Sequence, residues 1–147
     1  MKRLYVLATT ALLAAVLVAG CGDSSSPTTP AVPSAGVPYT ITDLVVGTGA
    51  EAVVGAPITV NYTGWLYDAN AVDNKGRQFD SGQGFQFTLG VGSVIAGWDQ
   101  GFNGMRVGGQ RRLIIPPELA YGDAGAGGGA IPPNATLVFD TELVSVP

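Results

Sequence analysis

The chain has 147 residues, 11 of them acidic and 7 basic, for a net charge of −4, with one cysteine and no histidine. That composition excludes a Ser-His-Asp or Cys-His nucleophile, a histidine metal ligand, a cysteine cluster and an internal disulfide. No basic stripe is present, which argues against nucleic acid as a partner.

Residues 1–20 read as a signal peptide: Lys2 and Arg3, then the apolar run "LYVLATTALLAAVLVAG". The run also approaches the length of a membrane-spanning helix, the competing reading. "VAGC" resembles the bacterial lipobox, in which the cysteine is lipidated and becomes the new first residue. The lone cysteine, Cys21, stands where that chemistry needs it. Two or three acyl chains, at about 0.8 kcal/mol per buried methylene, hold a protein stably at a membrane. The expectation is an exported protein, lipid-anchored at Cys21 to a bacterial membrane on its periplasmic or cell-surface side. Cleavage would leave 5 basic against 11 acidic residues, a net charge of −6.

Residues 21–36 hold the cysteine and then "GDSSSPTTPAVPSAG", rich in Ser, Thr, Pro and Gly with one charge. This composition cannot bury enough apolar surface to offset the cost of ordering, so it reads as a flexible tether.

Residues 37–147 have the size of one domain. Short strand-like runs recur between Gly/Pro/Asp/Asn clusters. "TITDLVV" precedes a turn at "GTGAE". "ITVNYTGWLY" places Ile58, Val60, Tyr62 and Leu66 on one side and Thr59, Asn61, Thr63 and Trp65 on the other. The polar segment Asp68 to Gln78 reads as a surface loop or bulge. "RQFDS" and "FQFTLG" read as two further strands. "VGSVIAGWDQGFNGM" has Trp98, Phe102 and Met105 at helical spacing. It is nonetheless crowded with glycines, each costing about 1 kcal/mol relative to alanine inside a helix. Such a helix needs tertiary packing to hold it.

"QRRLIIP" reads as the next strand, with Arg111 and Arg112 as solvated charges or partners of nearby carboxylates. The long segment Pro116 to Ala135 has no clear period. "TLVFDTELVSV" closes the chain, with Leu137, Phe139, Thr141 and Leu143 on one face and Val138, Asp140, Glu142 and Val144 on the other. Period-2 runs with one solvated face argue an antiparallel sheet, and one short helix against it makes the class α+β. By residue type alone, Trp98, Phe102 and Met105 are core, and so are Tyr62 and Phe139.

Six segments in order, "VNYTGWL", "FDSG", "FQFTLG", "VIAGWDQGFNGM", "RRLIIPPELAYG" and "IPPNATLVFDTEL", resemble the FKBP-type peptidyl-prolyl isomerases over nearly all of 40–146. The resemblance implies an antiparallel sheet of five to six strands half-wrapped around one short helix. It implies cis/trans isomerisation of X-Pro bonds in a pocket between helix and sheet, with a tacrolimus-type compound as a further ligand. No cofactor and no metal are implied.

Trp98 would be the pocket floor. Tyr62, Phe85, Val94, Ile95 and Phe139 would be its walls, with Phe79 beside Tyr62. Ile95 would offer its backbone N–H and Tyr121 its hydroxyl to substrate carbonyls. Asp80 would stand at the rim and Ile131 in a flap above. Tyr121, Asp80 and Trp98 would act in the reaction itself. The chain departs from the family pattern in four places. The flap "GDAGAGGGA" lacks a histidine; no cation follows "FDS"; the 68–78 segment is long; and Asn61 stands where a histidine is common.

Rotation of a peptide bond crosses a barrier of about 18–20 kcal/mol through a twisted amide. No bond is made or broken, so a chain without histidine is compatible with the reaction. An aromatic box that tolerates the less polar twisted amide, and donors that hold its flanking carbonyls, would lower the barrier. The substrates expected are X-Pro segments of secreted or envelope proteins. The competing expectation is a non-catalytic proline-peptide binder or chaperone on the same fold.

Overall fold

The computed structural model describes residues 36–147. The signal-peptide reading, Cys21 and the tether up to residue 35 lie outside the described residues. Five strands and one helix follow in the order β1 (Thr40–Val45), β2 (Pro57–Tyr67), β3 (Lys75–Thr88), α1 (Ala96–Phe102), β4 (Gln110–Ile115) and β5 (Leu137–Ser145). They form one antiparallel sheet in the order β1-β4-β5-β2-β3. The α+β class expected from the strand periodicity is thus the one observed, with five strands.

Register explains the two faces. β2 and β5 pair so that Val60 meets Leu143, Tyr62 meets Thr141, Gly64 meets Phe139 and Leu66 meets Leu137. On β4, Leu113 and Ile115 stand opposite Phe139 and Leu137. These positions make the inner face, and nearly all are fully buried. The outer face carries Asn61, Thr63 and Trp65 from β2, Arg112 and Ile114 from β4, and Val138, Asp140 and Glu142 from β5.

Two features differ from the sequence expectation. "RQFDS" and "FQFTLG" are not separate strands but parts of one 14-residue strand, β3, which also takes in Lys75 to Gln78 from the supposed loop. Three register shifts against β2 hide this continuity, because β3 spends an extra residue at each. Such bulges re-aim side chains and bend an edge strand. The true connection is Asp68–Asn74. It turns through Asp73 and Asn74 at φ 56° and 58°, a left-handed conformation that these two residue types tolerate.

The helix is short, and Met105 lies beyond its end, yet Met105 and Phe102 are both core. The glycines that weaken α1 also let it lie directly on β4. A Cβ at Gly97 would collide with the Ile115 side chain, and one at Gly101 would stand 2.5 Å from Leu113 Cδ1. Gly97 therefore makes room for β4. Tyr39 Oη donates to Gly97 O at 2.7 Å. Arg111 Nη1 donates to Gly101 O at 2.6 Å, and the same guanidinium pairs with Asp43 at 2.6 Å. Arg111 thus satisfies a carbonyl in the last turn of the helix, where no intrahelical donor follows, and Tyr39 ties down its start. Arg112 pairs with Asp140 and Asp73. Both arginines are partners of carboxylates, the second of the two sequence readings.

Candidate active site

The inner face and α1 meet in a cluster of rings centred on Trp98. Its indole lies 5.0 Å from Tyr62, 5.3 Å from Phe139, 5.5 Å from Phe102, 5.7 Å from Phe87 and 6.0 Å from Phe85, centroid to centroid. Most of these pairs are edge-to-face, the arrangement favoured by aromatic quadrupoles. Two glycines open the space. A Cβ at Gly64 would stand 2.7 Å from the rings of both Phe139 and Phe79, and one at Gly82 would stand 2.7 Å from the Tyr62 ring. Phe79 and Phe139 accordingly pack edge to face at 5.6 Å.

Above Trp98 lies a cavity of about 300 Å³ lined by Tyr62, Phe79, Asp80, Phe85, Ser93, Val94, Ile95, Trp98, Tyr121 and Phe139. Nine of the ten residues singled out as substrate-binding line it together. Ile131 does not; it is buried in the core, just after the glycine-rich flap. Ser93 also lines the cavity and was not foreseen, since a small polar residue between glycines carries no sequence signal. A larger depression of about 540 Å³ lies on the polar side, bordered by Asn61, Gln83, Gln110 and Glu142 among others. It lacks the aromatic floor, so size alone does not mark the site.

Polar groups at the cavity are few and oriented. Tyr62 Oη donates to Asp80 Oδ2 at 2.8 Å, and Asp80 Oδ1 accepts the Ser81 N–H at 2.8 Å. Among the described residues no cation pairs with Asp80, in keeping with the missing cation after "FDS". Burial, then the Asp80 carboxylate, push the Tyr62 phenol up to about 12, so it remains a donor throughout the neutral range. Burial and the Asp80 charge also raise Tyr121. Tyr121 is 40% exposed, and its hydroxyl has no partner among the described residues.

The Ile95 carbonyl accepts the Trp98 and Asp99 amides as α1 begins, at 2.9 and 3.3 Å. The Ile95 N–H has no acceptor among the described residues. The Trp98 Nε1–H is likewise buried without a partner there. The arrangement is therefore a largely aromatic box of about 300 Å³ with two free donors at its edge and one fixed carboxylate at its rim. It holds no nucleophile–base pair.

Comparison with known proteins agrees with this geometry. Residues 49–144 match the family model described as FKBP-type peptidyl-prolyl cis-trans isomerase. An FK506-binding protein of Neisseria meningitidis serogroup A is 54% identical over 106 residues, covering 72% of this chain and 94% of the relative. An FK506-binding protein of Streptomyces anulatus is 48% identical over 110 residues, covering 72% and 84%. The crystal structure of a peptidyl-prolyl cis-trans isomerase from Pseudomonas syringae pv. tomato matches with a TM-score of 0.63 at 36% identity, covering 81% of this chain and 83% of that one.

Proposed function

The chain belongs to the FKBP-type peptidyl-prolyl cis-trans isomerase family and is a peptidyl-prolyl isomerase; on that premise we propose how its pocket works and where it acts. The proline ring of an X-Pro segment rests on Trp98, between Tyr62, Phe85 and Phe139. The Ile95 N–H and the Tyr121 hydroxyl each take a carbonyl flanking the rotating bond. Asp80, held by Tyr62, keeps its carboxylate at the rim. A planar amide is more polar than a twisted one, so an apolar box disfavours the ground state more than the transition state. Holding both flanking carbonyls near the twist lowers the remaining barrier. The same box suits a tacrolimus-type ligand.

One observation carries this reading: two donors free of partners, Ile95 N–H and Tyr121 Oη, border a single aromatic cavity. The test is cis/trans relaxation of Leu-Pro and Phe-Pro peptides by the full chain, with and without tacrolimus. Acceleration is expected, with suppression by the drug and a reduced rate in Tyr121→Phe and Asp80→Val. No acceleration above background, or an unchanged rate and affinity in Trp98→Ala, would contradict the assignment.

The basic-then-apolar start and "VAGC" support export and a lipid anchor at Cys21. The substrates are then secreted or envelope proteins, whose folding waits on X-Pro bonds that isomerise unaided in tens to hundreds of seconds. Cys21→Ala should release the protein from membranes. Unchanged retention would instead favour an uncleaved apolar helix.

A further inference from the structure

The turn between β3 and α1 carries three residues that line the cavity, Ser93, Val94 and Ile95. Its sequence is poorly suited to holding a shape. Gly90 and Gly92 sit at φ 77° and 75°, where glycine alone rests easily, and glycine loses the most conformational freedom on ordering. Nothing would touch a Cβ at Gly92.

Yet both glycine amides are bound by one side chain. Gly90 N–H donates to Asp99 Oδ1 at 2.8 Å, and Gly92 N–H donates to Asp99 Oδ2 at 3.0 Å. Asp99 stands in the first turn of α1, one residue after Trp98. Each oxygen of a single carboxylate therefore ties one amide of the turn to the helix that carries the pocket floor. Hydrogen bonds to an ionised acceptor are roughly twice as strong as neutral ones. Asparagine could not replace it, because its NH₂ would face one glycine N–H, donor against donor.

We propose that Asp99 is a positioning residue for the isomerisation: its carboxylate holds the Gly90–Gly92 turn on α1, and so fixes the Ile95 N–H relative to the Trp98 floor. The proposal rests on the pocket being the reacting site. Asp99 is not part of the apolar core, so its loss should leave the fold in place and loosen only this wall. A looser wall gives up both the grip on the segment and the near-twist geometry, which appears as a lower kcat/KM.

The test compares the full chain with Asp99→Ala and Asp99→Asn. The measurements are peptide isomerisation kinetics, melting temperature and amide hydrogen exchange at Gly90 and Gly92. In both variants exchange at these two amides should quicken and kcat/KM should fall about tenfold. A melting temperature lowered by no more than a few degrees separates this outcome from general destabilisation, and Asp99→Asn supplies the result if Asp99→Ala folds poorly. Unchanged exchange would show that the carboxylate does not hold the turn. Faster exchange with kcat/KM unmoved would show that the turn's order is irrelevant to the reaction. Either result overturns the proposal while leaving the pocket reading intact. A wild-type chain that does not accelerate isomerisation removes the pocket reading and this proposal together.

Discussion

The two faces of the sheet use the same strands for opposite chemistry. On the inner face, Tyr62 and Phe139 join rings from β3 and α1 around Trp98. On the outer face, one residue away along each strand, Asp140 receives Lys75 at 2.5 Å and Arg112 at 2.7 Å, while Asn61 donates to Glu142 at 3.0 Å. Lys75 also sits 4.5 Å from the centre of the Trp65 ring. The inner face loses little when charge is absent, because its stabilisation comes from apolar area removed from water. The outer face is held by pairs: Asp140 by Lys75 and Arg112, and Glu142 by Asn61. The aromatic cavity lies on the inner face.

Phe139→Ala should separate the faces most strongly. Phe139 is 3% exposed and touches the rings of Trp98, Phe79 and Tyr62. Its truncation should cost about 3–5 kcal/mol by denaturant melting and abolish the pocket wall. If stability fell by less than half of this, the aromatic cluster would not be the stabilising unit it looks to be.

Asp140→Asn should come next. Burial alone would raise the Asp140 carboxyl, but hydrogen bonds from Arg112 and Lys75 outweigh it and hold the group below its ordinary value of 3.8. A carboxyl lowered in the folded state contributes stability that is complete above the unfolded value and lost as pH falls through the folded one. The variant should lose about 1–2 kcal/mol at neutral pH, the partial burial keeping it below a fully buried pair. The difference from wild type should shrink as pH drops below 3.8. Isomerase activity per folded molecule should not change. A rate loss would mean that the faces are coupled through β5.

Lys75→Met should have the smallest effect. It removes one of the two cations on Asp140 and the cation over Trp65, for about 0.5–1 kcal/mol. The loss should diminish in high salt, whereas that of Phe139→Ala should not.

Legibility in the sequence followed the same division. Alternation in "TLVFDTELVSV" and "ITVNYTGWLY" laid out β5 and β2 face by face, because one side is apolar and the other solvated. β3 was broken into pieces for a physical reason: its bulges shift the period, and Gly76, Gly82 and Gly84 interrupt its apolar pattern. Pocket residues such as Asp80 and Tyr121 became visible only through family resemblance, since one carboxylate on a bulged strand and one phenol in a turn have no periodicity. Asp99 was invisible either way. Its partners are backbone amides, and a carboxylate in a first helical turn is explained by the helix dipole alone.

The two tryptophans of the chain lie on opposite sides of the sheet. Trp98 forms the floor of the cavity, and Trp65 lies outside, against Lys75. Their fluorescence is therefore divided by location, one emitter lining the cavity and the other removed from it. In a Trp65→Phe variant, the remaining emission comes from the pocket floor alone. Ligand occupancy can then be followed optically, without label or coupled protease, in detergent or on a lipid surface.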